Sequence, residues 1–188
     1  MKRRLVSRAL FISAVLMFLA YSPPASCREN PLSAASSFCR WNEDGTAVKK
    51  RIREHTREIE PVPSEKLADQ DNYILSYILN IDENASGRVE LYKTTNREPY
   101  SDFLFYRGRL CAVSFRKRSD TDDLFDDQTG RLSKQFGTPV IKKTDTSLTH
   151  SYSGPETTVL LIRSRSDGDV VTHTYFYPTD LFKRLLSP

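Results

Sequence analysis

Glycine, histidine, cysteine and tryptophan are scarce in this chain: seven, three, three and one in 188 residues. So few glycines leave no Gly-x-Gly-x-x-Gly turn, no phosphate loop and no Gly-x-Ser-x-Gly elbow. The three histidines, His55, His150 and His173, form no His-Glu-x-x-His pair, and the three cysteines include no Cys-x-x-Cys. The spacings that build zinc sites are therefore missing. No catalytic residue, metal or cofactor is nominated by any motif. After Tyr21 there is no long apolar run either, so no membrane-spanning helix is expected in the remainder.

What is present begins at the first residue. Lys2, Arg3, Arg4 and Arg8 precede an apolar run from Ala9 to Tyr21, 13 residues long. That length suits the core of an export signal and falls short of the roughly 20 residues a spanning helix needs. Pro23 and Pro24 end it, and Pro24-Ala25-Ser26-Cys27 closes residues 1–27 as a signal peptide. The segment resembles a bacterial lipoprotein signal, with small residues before a cysteine that becomes the acylated first residue. It departs from that pattern at Pro24, where an aliphatic residue is usual. A second reading has an ordinary signal peptidase release a soluble chain starting at Arg28. The resemblance implies a membrane partner, held through a lipid at Cys27, and a place in the cell envelope or periplasm. The second reading implies secretion.

The signal also carries the whole charge excess. The chain has 28 basic and 24 acidic side chains; four of the basic ones lie before Cys27 and none of the acidic ones does, leaving 24 against 24. A neutral mature chain removes the general argument for nucleic acid as a partner. With Cys27 acylated or cut away, Cys39 and Cys111 remain as a pair in a disulfide-permissive compartment. A bridge between them would close a loop of about 70 residues, worth ~4 kcal/mol on the chain-entropy model.

Residues 28–37, rich in Ser, Ala and Asn, read as a tether, and 38–188 as one domain. Helical spacing places Val48, Ile52, His55 and Ile59 on one stripe of a helix over 46–60, stopped by Pro61 and Pro63. Tyr73–Ile81, rich in Tyr, Ile and Leu, reads as a strand. So do 88–94 and a hairpin over 103–116 turning at Arg107-Gly108. Ser119 opens a second helix with five aspartates (Asp120, Asp122, Asp123, Asp126, Asp127), ending at Gly137 and Pro139. Strands follow at 140–143, 148–152, 157–163 and 170–177, then a short helix holding Leu181 and Phe182.

This order predicts an α+β fold, antiparallel sheet with helices packed on one face. The halves 46–118 and 119–188 share length and order, which suggests a helix-plus-four-strand duplication. The order is similar to that of the β-lactamase inhibitory proteins, small secreted inhibitors built from paired units of this kind. His150 and His173, on separate strands, are the candidate site if they converge on one sheet face. The expected role is a non-enzymatic binding or interaction module with a protein or other envelope partner. A soluble inhibitor-like protein and a small envelope hydrolase are the alternatives.

Overall fold

The computed structural model describes residues 40–55, 58–82, 84–95, 100–166 and 168–186. Cys27, the tether and Cys39 lie outside them. The elements are α1 (Gly45–His55), β1 (Ile59–Pro61), α2 (Tyr73–Ile81), β2 (Val89–Thr94), β3 (Tyr100–Tyr106), β4 (Arg109–Ser119), α3 (Asp123–Phe136), β5 (Val140–Lys143), β6 (Ser147–Ser153), β7 (Thr157–Ser166), β8 (Asp169–Pro178) and α4 (Leu181–Leu186). All eight strands form one antiparallel sheet in the order β1-β2-β3-β4-β8-β7-β6-β5. Two meanders therefore meet where their last strands pair, from Val113 opposite Phe176 to Ser119 opposite Val170. Among the described residues no helix is long and apolar enough to cross a membrane.

Tyr73–Ile81 is a helix, not a strand. Its β-favouring side chains are outweighed by a cap: the Asn72 side chain accepts a hydrogen bond from the Leu75 N–H at 3.1 Å. Burial of Ile74, Leu75 and Ile78 follows the helical period. The first meander still has four strands, because Ile59–Pro61, read from sequence as the end of α1, pairs with β2. Ser119 closes β4 rather than opening α3.

Helices cover both faces, correcting the expected one-sided packing. On one face α1 and α3 bury Val48, Ile52, Phe125 and Leu132 against Phe105, Val113, Leu161 and Phe176. On the other, Ile74, Leu75 and Ile78 of α2 and Leu181 of α4 pack on Leu91, Leu104, Leu160 and Tyr175. The reason lies in the central strands. Leu110 to Phe115 of β4 and Val170 to Tyr177 of β8 are buried without a break, and a strand buried on both faces needs cover on both. At the Arg107-Gly108 turn both residues have positive φ, 52° and 72°, as a tight hairpin requires. Beyond it a register shift leaves Cys111 bulged between Leu110, opposite Phe105, and Ala112, opposite Leu104.

Candidate functional site

The two meanders are not covered alike. Between β1 and β2 the chain spends residues 62–88 on a crossing that includes α2 and roofs the second face over β2, β3 and β4. Between β5 and β6 it has only the turn 144–146. The second face over β5 and β6 is thus left without a helix among the described residues, and the cover ends at β7, where Leu160 lies in the cluster with Leu181 of α4. Sequence and environment agree there. Alternation along β6 turns Ser147, Thr149 and Ser151 to that face, while His150 and Tyr152 turn towards α3. Ile162 and Ser164 of β7 and Lys142 of β5 complete the bare area.

His173 stands at the inner margin of this area, on the second face. The ring is 8% exposed and stacks on Tyr175, centroids 5.9 Å apart, with Nδ1 3.1 Å from the Tyr175 hydroxyl. Nε2 lies 3.8 Å from an Asp71 carboxylate oxygen at the entry to α2. Burial pushes the His173 pKa down; Asp71 and Asp102 pull it up and Arg116 pushes it down further. Burial also raises Tyr175, which stays a neutral hydroxyl and accepts the Tyr73 N–H at 3.4 Å. Asn72 ties the same corner together, donating to Asp102 at 3.0 Å and to the Ser114 hydroxyl at 3.3 Å. Tyr73 and Tyr77, 49% and 39% exposed, stand on the outer side of α2, with Phe182 4.3 Å from the Tyr77 ring. Tyr100, 40% exposed, lies under the Arg116 guanidinium at 5.7 Å.

His150 is elsewhere. Its Nδ1 meets the Thr129 hydroxyl of α3 at 3.3 Å, and its ring packs edge-on to Phe125 at 4.9 Å. Burial lowers its pKa, Arg163 lowers it further, and Asp126 opposes both. His150 pairs with Leu161 and His173 with Ile162, consecutive residues of β7 whose side chains leave opposite faces. The two histidines do not converge. The His55 side chain lies outside the described residues.

No family model matches this chain, and neither does any curated protein or solved structure. Function has to be read from the surface itself.

Among the described residues no three His, Cys, Asp or Glu side chains cluster as metal ligands. The Ser114 hydroxyl, on β4 opposite Tyr175, accepts from Asn72. Two of the aspartates at and within α3 are in charge pairs. Asp122 accepts from Arg163 at 2.9 Å and Arg165 at 3.1 Å, and Asp127 pairs with Arg131. Their partners come from β7 and from α3 itself, which no charge run along the sequence reveals. A groove of about 360 Å³ along α1 is lined by Thr46, Lys49, Lys50, Arg53 and Glu54. Lys49 there is committed to Glu90 at 2.6 Å. Sequence reasoning missed Asp71, Asn72 and Asp102, whereas Arg116 stands out in the sequence within a basic group (Arg107, Arg109, Arg116, Lys117, Arg118) suited to an anionic partner. Of the three missed, the one legible signal was Asn72, a capping residue set before an apolar run with helical spacing.

Proposed function

We propose that this chain is an exported, non-enzymatic binding domain, held in the cell envelope by a lipid on Cys27, that engages its partner with the bare half of the second sheet face. The observation that carries this reading is the hydroxyl-lined second face of β5 and β6, without a helix over it among the described residues, on a molecule that also exposes Tyr73, Tyr77 and Tyr100. A core-facing strand would carry apolar residues where Ser147, Thr149 and Ser151 stand, and exposed tyrosines offer rigid contact area at low entropic cost. The mirrored strand order favours a duplicated helix-plus-four-strand origin, with α2 as an addition to the first unit only. On that reading the missing roof of the second unit is the feature that leaves the site open.

The hydrolase alternative would pair a histidine with an aspartate, and the Asp71 carboxylate stands 3.8 Å from His173 Nε2, beyond hydrogen-bond distance. Retention of the mature chain (28–188) on isolated envelope fractions tests the binding reading. Thr149→Trp with Ser151→Trp, which fills the bare face, should abolish retention. Gln135→Trp, on the outward side of α3, should leave it unchanged. Retention that survives the first pair would overturn the proposal. Intact mass analysis of the exported protein separately decides between acylated Cys27 and a free Arg28.

A further inference from the structure

The register of the sheet lines up one row along the second face, from the margin of α2 into the bare area: Tyr100, Arg116, His173, Ile162, Thr149 and Lys142, one residue from each strand from β3 to β5. These six are far apart in the chain and adjacent only in the sheet. Arg116 and Lys142 are four strand intervals apart, about 19 Å at the usual spacing of antiparallel strands. Between them lie the largely buried His173, Ile162 and the hydroxyl of Thr149, with Ser147, Ser151 and Ser164 on either side of the row. Arg118, the next residue of β4 on this face, is largely exposed and 4.0 Å from Asp169. The carboxylates that face the row are Asp71, which stands by His173, and Asp102, which is held by Asn72.

We infer that the partner is an acidic polysaccharide lying across the strands, with its carboxylates on Arg116 and Lys142 and its hydroxyls on the Ser and Thr side chains. This rests on the binding reading above and names the chemical class of the ligand. The direction of the row is the argument. A peptide strand adds to a sheet at an edge, where backbone groups are free. This row crosses β4, β8, β7 and β6, whose backbones are already paired on both sides, so only side chains are offered. Two cations separated by a hydroxyl-lined strip match a flat polymer with spaced negative charge and many hydroxyls. Arg116 presents a planar fork to a carboxylate and is held over the Tyr100 ring at 5.7 Å.

Affinity electrophoresis of the mature chain tests this, with polygalacturonate, neutral dextran and poly-glutamate as probes. Polygalacturonate should retard the chain, weakening with salt, and dextran should not. Arg116→Gln and Lys142→Gln, which leave the core untouched, should each weaken binding roughly tenfold. Equal or stronger retardation by poly-glutamate would overturn the polysaccharide in favour of an acidic peptide. No retardation by polygalacturonate, or retardation that both variants keep, would also overturn it. The two failures separate cleanly. If Thr149→Trp with Ser151→Trp still abolishes envelope retention, the binding face stands and only the ligand class falls.

Discussion

His150 and His173 sit two strands apart in one sheet and on opposite sides of it, because their partners on β7, Leu161 and Ile162, are neighbours in the chain. A period of two along a strand makes that outcome unavoidable once the register is set. Each ring belongs to a different helix–sheet interface: His150 to α3 through Thr129, His173 to the entry of α2 through Asp71 and Tyr175.

Both histidines make folding pH-dependent in the same sense. Burial holds each pKa below its ordinary 6.5, so below that pH the unfolded chain takes up protons that the folded chain resists. Stability is intact above about pH 6.5 and falls as pH drops towards the folded values. Denaturant midpoints at pH 7.5 and pH 5.5 should differ, and the double variant His150→Gln with His173→Gln should narrow the gap. Glu43, held low by its hydrogen bond with Arg51, and Asp82, held low by Tyr106, act in the same direction at lower pH. Keeping above pH 5 separates the two sets.

Gly137 ends α3 at φ 85° and ψ −159°, a region that side chains other than hydrogen rarely enter, although a Cβ would meet open space there. Gly137→Val should therefore lower stability by about 1–3 kcal/mol through the backbone alone. Gly130, exposed in the middle of the same helix with nothing near its missing Cβ, should respond the other way. Gly130→Ala should raise stability by roughly 0.5–1 kcal/mol. Thermal melts of the two variants check both; equal and opposite roles would reverse the assigned end of α3.

Asn72 does three jobs at one position: it caps α2, donates to Asp102 and donates to Ser114. Asn72→Ala should cost more than the ~1 kcal/mol typical of a lost cap, because buried Ser114 and half-buried Asp102 lose a donor as well. Asn72→Asp keeps the cap acceptor but places a second carboxylate beside Asp102. A urea midpoint for Asn72→Ala within error of the wild type would contradict the bridging role.

Cys39 and Cys111 are expected to be bonded in the exported protein. The backbone just after Cys39 already runs along β4: the Asn42 N–H donates to the Leu110 carbonyl at 3.2 Å, and Asp44 bridges to Arg109. Cys111 is the bulged residue beside Leu110, buried, with its sulfur 3.3 Å from the Leu104 carbonyl oxygen. Peptide mapping without reductant should recover one linked pair, and recovery of both as free thiols would reject the bond.

Much of the second half of the chain is legible in advance. Its strands alternate small polar with apolar side chains, as in Ser147 to Ser153, and its turns carry Gly154-Pro155 and Gly168. α3 is equally legible at its end, where Lys134, Gly137 and Pro139 follow one another. The first half misleads at Tyr73–Ile81, since the Tyr, Ile and Leu that suggest a strand serve equally to fill a helix face. What decides is the Asn72 cap and the packing of Ile74, Leu75 and Ile78 on Leu104 and Tyr175, and the latter is a contact between distant segments.

Composition and local pattern by themselves determined most element types and set the expectation of an export signal whose removal leaves a neutral chain with two cysteines, because each depends on residues within a few positions of one another. Tertiary structure alone decided which face each strand residue occupies, that the histidines part, and that Tyr100, Arg116, His173, Ile162, Thr149 and Lys142 share a row. Strand register is a property of pairs of distant segments. Here β4 and β8 are buried on both faces, while beyond the short 144–146 turn no helix among the described residues covers the second face of β5 and β6.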